Sequence, residues 1–166
     1  MAILVTYGST RGGTQGLAEM IGDELRKCGF EVDVSPASAV GRRLAGYDAV
    51  VVGGALYMGR WHKDARRFVK SHVLQLYERP TFFFSSGPLG SKAQASKIPP
   101  TRSVQRLMKR VATTRHATFG GRLDEGAHGY MAASMAKSTS GDFRDEANVR
   151  TWARHVADEL QHPRAA

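Results

Sequence analysis

Residues 2–14 read Ala2-Ile3-Leu4-Val5-Thr6-Tyr7-Gly8-Ser9-Thr10-Arg11-Gly12-Gly13-Thr14, an apolar run that leads into a turn of hydroxyl side chains and glycines. After this turn the apolar residues follow helical spacing: Leu17, Met20, Ile21, Leu25 and Cys28. The pattern predicts a buried strand, a turn and a helix. Because the first turn of a helix carries free N–H groups and the positive end of the helix dipole, the turn at residues 9–14 is predicted to hold a phosphate group.

Four further strands are predicted, at Glu31–Ser35, Asp48–Gly53, Thr81–Ser86 and His116–Phe119. Their continuous apolar runs are typical of strands that are covered on both faces. Segments with helical spacing separate most of them, and another such segment, around Trp152, closes the chain. Strands that alternate with helices predict an α/β fold with a parallel sheet, whose ligands bind at the carboxyl ends of the strands.

Length and composition limit the function classes. At 166 residues the chain is expected to form one domain, residues 1–166, and its single cysteine excludes an internal disulfide. No apolar run is long enough to span a membrane, and the N-terminus has no signal-peptide pattern. We expect a cytoplasmic protein with at most a peripheral contact to a membrane, and no metal site.

The net charge of +9 comes from one segment, residues 79–123. This segment has nine basic residues and no acidic one, so the other 15 basic residues balance the 15 acidic residues of the chain. It is either a solvated surface or a docking surface for an acidic redox protein, an anionic membrane surface or a substrate with carboxylates. Nucleic acid is not expected, because no RNA-binding signature accompanies the charge. The nine residues are Arg79, Lys92, Lys97, Arg102, Arg106, Lys109, Arg110, Arg115 and Arg122.

Several phosphate-binding motifs are excluded by the details of the turn. A Walker A loop needs a lysine after Gly13, where this chain has Thr14, and the glycine spacing does not fit a dinucleotide-binding fingerprint. A phosphoacceptor receiver domain needs carboxylates where this chain has Gly8-Ser9 and Gly53-Gly54. These exclusions leave a monophosphate on a planar cofactor.

Loops after the later strands are predicted to complete the site at the same edge of the sheet. The loop after the third strand includes Ala55, Leu56, Tyr57, Met58, Gly59 and Trp61, and its two aromatic rings can stack on a flat heterocycle. The loop Ser86-Gly87-Pro88-Leu89-Gly90 follows the fourth strand. His62 is a candidate proton relay, because it is the only imidazole close to these loops in the sequence.

The turn resembles that of the flavodoxins, which have the pattern Thr/Ser-x-Thr-Gly-x-Thr after the first strand. Ser9-Thr10-Arg11-Gly12-Gly13-Thr14 matches all but the third position, where Arg11 replaces a hydroxyl group by a cation. The resemblance implies a flavodoxin-like three-layer α/β fold with a five-stranded parallel sheet of order 2-1-3-4-5. It also implies an FMN cofactor whose phosphate lies at this turn.

A closer resemblance, over residues 2–160, is to the flavodoxin-type, menaquinone-dependent protoporphyrinogen oxidases. That family also has Ser-Thr-Arg at the turn, a similar third-strand loop followed by an aromatic residue and a histidine, and a tryptophan in the last helix, here Trp152. Weaker matches are Phe84-Ser85, Gly121-Arg122-Leu123 and Ser140-Gly141-Asp142. The chain departs from that family around residues 128–145, where the family's long basic and aromatic insertion is shortened.

The resemblance implies a role for each site residue. Residues 9–14 would hold the ribityl phosphate, Tyr57, Met58 and Trp61 would flank one face of the flavin ring, and Leu89 with Ser86-Gly87-Pro88 would close the other. Three functions stay open. They are an FMN oxidoreductase that oxidises a protoporphyrinogen-type substrate with a quinone acceptor, a flavodoxin-type electron carrier that docks on acidic redox partners, and a scaffold that has lost its cofactor.

Overall fold

The structure is a computed structural model that describes residues 1–10, 12–87, 98–120, 122–123, 141–142 and 146–164. Its strands, in chain order, are β1 (Ala2–Gly8), β2 (Glu31–Pro36), β3 (Ala49–Tyr57), β4 (Arg60–Trp61), β5 (Thr81–Ser86), β6 (His116–Phe119), β7 (Arg122–Leu123) and β8 (Gly141–Asp142). Its helices are α1 (Gly13–Lys27), α2 (Lys63–Ser71), α3 (Val73–Tyr77), α4 (Arg102–Arg110) and α5 (Glu146–Gln161), with a 3₁₀ turn at Ala37–Ala39.

The five long strands form a parallel sheet in the order β2-β1-β3-β5-β6. This order confirms the predicted 2-1-3-4-5 arrangement, since β5 and β6 are the fourth and fifth of the predicted strands. Two features were not predicted. The short β4 pairs antiparallel with the end of β3, and β7 pairs antiparallel with β8.

Helices cover both faces of the sheet and bury two apolar clusters. On one face α1 and α5 pack against the side chains of Ile3, Val5 and Phe84, and on the other α2 and α4 pack against those of Leu4, Val52 and Phe83. Trp152 is partly buried and packs edge-on against the ring of Phe119 at 5.7 Å between centroids. The alternation of strand side chains between two covered faces explains why the apolar runs are continuous.

The C-terminal end of α4 offers a test of the local backbone. Ala112 has a φ of 55°, in the left-handed region, and the N–H of Thr113 donates to the carbonyl of Met108 at 3.1 Å. Glycine adopts this conformation without the Cβ penalty, so Ala112→Gly is expected to raise the free energy of unfolding by about 0.5–1 kcal/mol in urea denaturation. Ala147→Gly is the control, because it places glycine within helix α5 and should lower that free energy. A lower free energy of unfolding in both variants would contradict the left-handed conformation of Ala112.

Candidate functional site

The turn between β1 and α1 leaves the N-terminal end of α1 open. Gly12 precedes the helix with a φ of 79°, no side chain caps this end, and the first turn contains no acidic residue. Gly8 ends β1 in close contact with α2, since a Cβ at this position would lie 2.6 Å from the backbone nitrogen of Ala65. The uncapped N–H groups of α1 therefore lie in a turn that has the electrostatics of an anion-binding site.

Thr14 supplies the observation that points to a ligand in this turn. Its side chain is 1% exposed, and its hydroxyl oxygen has no hydrogen-bond partner among the residues that the structure describes. A buried hydroxyl without a partner is destabilising, and native proteins avoid it. A phosphate oxygen at the N-terminal end of α1 would accept this hydrogen bond, so the residues present fit a phosphorylated cofactor.

The strand registers bring the predicted loops to one edge of the sheet. Gly8 on β1 lies opposite Gly54 on β3, and Gly54 lies opposite Ser85 on β5. Strands β1 and β5 therefore end at nearly the same level, on either side of β3, which continues beyond them to Tyr57. Because β2 and β3 lie on opposite sides of β1, the edge includes the switch point at which ligands of open α/β sheets bind.

The predicted loop after the third strand is a β-hairpin. Strand β3 continues to Tyr57, and β4 returns after a two-residue turn in which Met58 and Gly59 have φ values of 52° and 79°. Two positive φ values in succession are typical of a type I′ turn. The side chains of Tyr57 and Met58 are 59% and 75% exposed, respectively. Both side chains lie at the sheet edge, and their contact with a planar cofactor stays a prediction.

Trp61 does not flank the candidate cofactor site, and the prediction for this residue is wrong. It is 1% exposed, and its ring packs over Gly54 and lies 4.8 Å from the ring of Phe83. Its Nε1–H donates to the Ser85 hydroxyl at 2.8 Å. The antiparallel return of β4 turns this side chain into the core between the sheet and α2, so no face of the ring is free.

Ser85 and His116 were not predicted as residues of the site. The Ser85 hydroxyl lies 2.9 Å from the His116 Nε2 and also accepts the Trp61 bond. The three residues form a polar chain across β4, β5 and β6, in which Trp61 and Ser85 are buried and His116 is partly buried. The two consecutive serines at the end of an apolar strand indicated a polar site, but they did not identify the histidine partner, which is 31 residues away in the sequence.

His116 gives the protein a pH-dependent stability. Burial lowers the pKa of His116 to about 4. The unfolded histidine has a pKa of about 6.5, so between these values the unfolded chain binds a proton that the folded chain does not, and the free energy of unfolding falls as the pH falls. Because His116 is partly exposed, we expect the free energy of unfolding to fall by only about 2 kcal/mol between pH 7 and pH 4.

Urea denaturation of the wild type and of His116→Gln at several pH values checks this expectation. Since carboxylates titrate in the same range, the informative quantity is the difference between the two proteins. The free energy of unfolding of the wild type minus that of His116→Gln should fall by about 2 kcal/mol from pH 7 to pH 4. A difference that does not vary with pH would show that the folded histidine titrates normally.

The structure describes some of the remaining predicted residues, and the others lie outside its described ranges. His62 caps α2, with its Nδ1 accepting from the N–H of Asp64 at 3.2 Å, and the predicted proton relay stays a prediction. Ser86 is buried, and Gly87 has a φ of 123° and lies against the side chain of Leu56, so the end of β3 and the residue after β5 are close together. Arg11, Pro88, Leu89 and Gly90 lie outside the described residues, as do Lys92 and Lys97.

Comparison with known proteins identifies the family. A model of the flavodoxin domain matches residues 4–142. The chain belongs to the flavodoxin domain family. This membership implies a flavin cofactor, and the turn at Thr14 fits a phosphorylated one. Among the described helices, none has the length and apolar character needed to cross a membrane.

Individual relatives differ in how much of the chain they match. Protoporphyrinogen IX dehydrogenase [quinone] from Escherichia coli (strain K12) is 28% identical over 107 residues, which are 64% of this chain and 59% of that protein. The chain thus matches less than two thirds of the length of this curated relative. A flavodoxin from the domain Archaea superposes with a TM-score of 0.68 at 17% identity, covering 98% of this chain and 100% of the other.

A third relative shows the same fold in a longer protein. Rubredoxin oxygen:oxidoreductase from Desulfovibrio gigas superposes with a TM-score of 0.66 at 12% identity, covering 99% of this chain and 37% of the other. At these identities the two solved structures establish the shared flavodoxin-like fold.

Proposed function

We propose that this flavodoxin domain binds FMN and oxidises a protoporphyrinogen-type substrate with a quinone as electron acceptor. The observation that carries the FMN proposal is the buried Thr14 hydroxyl, which has no partner among the described residues and lies at the open N-terminal end of α1. The match to Escherichia coli protoporphyrinogen IX dehydrogenase [quinone] supports the substrate and the acceptor.

The chain's own residues would bind and orient the cofactor, which when bound supplies the redox-active ring. The N–H groups at the start of α1 and the hydroxyls of Ser9, Thr10 and Thr14 would hold the phosphate. Tyr57 and Met58 would cover one face of the ring and exclude water from it, and the backbone of residues 55–59 offers groups for hydrogen bonds to its edge. Ser86 and Gly87 would close the opposite side.

A second candidate function, electron transfer to an acidic redox partner, is supported by the distribution of charge. Helices α2 and α4 cover one face of the sheet and together carry eight basic residues and one acidic residue, a net charge of +7. Helices α1 and α5 on the other face carry four basic and six acidic residues, a net charge of −2. The eight basic residues are Lys63, Arg66, Arg67, Lys70, Arg102, Arg106, Lys109 and Arg110.

This basic face differs from the basic segment expected from the sequence. Arg79 donates to the carbonyls of Leu44 and Tyr47, and Arg115 pairs with Glu159, so neither contributes a free cation. By contrast, the basic residues of α2 and α4 have no ion pair among the parts of the chain that the structure describes. An acidic protein or an anionic membrane that docks here would be bound by a surface with little competing negative charge.

Turnover of the FMN-loaded chain separates these candidates. Protoporphyrinogen IX is supplied with and without a quinone, in the absence of oxygen, and porphyrin fluorescence is followed. The proposed oxidoreductase gives enzyme-dependent oxidation that requires the quinone. If no porphyrin forms, while a reductase with an acidic docking surface reduces the flavin at a rate that falls steeply with salt, the chain is an electron carrier. A chain that takes up no flavin contradicts both.

A further inference from the structure

We propose that Ser85 and His116 are positioning residues for the flavin site, which they influence through Trp61. This inference rests on the proposed FMN binding, because the hairpin that Trp61 anchors carries Tyr57 and Met58, the residues placed against the ring.

The direction of the hydrogen bond between Trp61 and Ser85 is determined by chemistry. An indole N–H can only donate, so the Ser85 hydroxyl accepts the bond from Trp61 Nε1 at 2.8 Å. Ser85 then has one hydrogen left, which it can donate to His116 Nε2 at 2.9 Å. This donation requires His116 to be neutral with its proton on Nδ1. The Ser85 hydroxyl thus has a partner on either side, and its bond from Trp61 sets the rotation of the buried indole ring.

Trp61 is the buried anchor of the hairpin. Among residues 57–61 it alone is buried, while Tyr57, Met58, Gly59 and Arg60 are exposed. It pairs with Leu56 across the hairpin, and Arg60 pairs with Tyr57, so a shift of the indole would be transmitted to the turn. Its ring lies so close to Gly54 that a Cβ there would be 2.3 Å from Cγ.

Three further hydrogen bonds to the hairpin involve no buried side chain. In one, the Arg66 Nε–H donates to the carbonyl of Trp61 at 3.0 Å. The N–H of His62 donates to the carbonyl of Ala55 at 2.9 Å, and the Thr101 hydroxyl donates to the carbonyl of Gly59 at 2.7 Å. Apolar packing alone would bury the Trp61 ring without selecting one orientation, whereas the bond to Ser85 selects one. The polar chain therefore specifies where the hairpin places its exposed residues.

Ser85→Ala tests the inference against a matched control, Thr113→Val. Thr113 donates its hydroxyl hydrogen to the carbonyl of Thr81 at 2.6 Å, so its loss also removes a buried hydrogen bond, but at the opposite end of β5. FMN affinity is measured by quenching of flavin fluorescence, and hairpin opening by the rate of tryptic cleavage after Arg60 under native conditions. Both are compared with the free energy of unfolding.

We expect Ser85→Ala to weaken FMN binding about tenfold and to speed cleavage after Arg60 about tenfold, as for a lost buried hydrogen bond. Thr113→Val should lower the free energy of unfolding by a similar amount and change neither readout. Ser85→Thr, which keeps the hydroxyl, should restore both. His116→Leu, which removes only the second bond, should change both in the same direction but less, and it serves as the test if Ser85→Ala does not fold.

The inference is overturned if Ser85→Ala and Thr113→Val change both readouts equally, because Ser85 then acts only through overall stability. It is also overturned if cleavage after Arg60 is unchanged in Ser85→Ala. A wild-type chain that binds no FMN contradicts the proposed function instead, and the cleavage rate still tests the anchoring of the hairpin.

Discussion

Gly54→Ala is expected to lower the free energy of unfolding by about 4 kcal/mol, or to prevent folding. A Cβ at this position would lie 2.3 Å from Cγ and 2.5 Å from Cδ2 of Trp61. The strand cannot move away, because Gly54 is paired with Gly8 on one side and Ser85 on the other. The indole would have to leave its place, which would also break its bond to Ser85.

Urea denaturation of Gly54→Ala and of Gly41→Ala checks this prediction. Gly41 is the matched control, because a Cβ there would meet no atom within 4 Å and its φ is not in the left-handed region. We expect Gly41→Ala to keep the wild-type stability or to gain a few tenths of a kcal/mol, roughly the benefit of a less flexible unfolded chain. Wild-type stability in Gly54→Ala would contradict the packing of Trp61 over the sheet.

Thr14→Val is expected to have two effects of opposite sign. Removing a buried hydroxyl without a partner should raise the free energy of unfolding of the flavin-free chain by about 1 kcal/mol. The same change should raise the dissociation constant for FMN by about 10–100-fold, since a hydrogen bond to a charged group contributes about 1.5–3 kcal/mol. Urea denaturation and a flavin fluorescence titration measure the two quantities on the same preparation.

Thr6→Val separates the phosphate role of Thr14 from the general effect of removing a buried hydroxyl. The Thr6 hydroxyl is likewise buried and has no hydrogen-bond partner within the described ranges, but it lies inside β1 and not in the turn. Its replacement should stabilise the flavin-free chain and leave FMN affinity unchanged. If both variants bind FMN as tightly as the wild type, Thr14 does not contact the phosphate.

The parallel sheet could be predicted because the sequence carries its signal locally, whereas the strand order followed from the resemblance to the flavodoxins. Most of the five strands are apolar runs, and segments with helical spacing separate most of them, which is typical of a parallel sheet with right-handed crossovers. The turn at Gly12 and Thr14 was predictable for the same reason, since the strand, the turn and the helix are contiguous. These features need no information about contacts between distant parts of the chain.

The features that were missed depend on contacts between distant residues. The composition of residues 54–62 indicated aromatic rings near the sheet edge, but not that β3 continues to Tyr57 and returns with Trp61 facing the core. The Ser85–His116 contact joins separate strands. Likewise, the basic face combines α2 with α4, which are far apart in the sequence, so the count within residues 79–123 omitted half of its cations.

The most direct measurement compares the affinities of the purified chain for FMN and for riboflavin, which differ only in the phosphate group. If the turn before α1 binds that phosphate, FMN should bind with one site per chain and at least about 100-fold more tightly than riboflavin, as expected for two or more charge-assisted hydrogen bonds. Equal affinities, or no binding of either flavin, would contradict a phosphate site at Thr14.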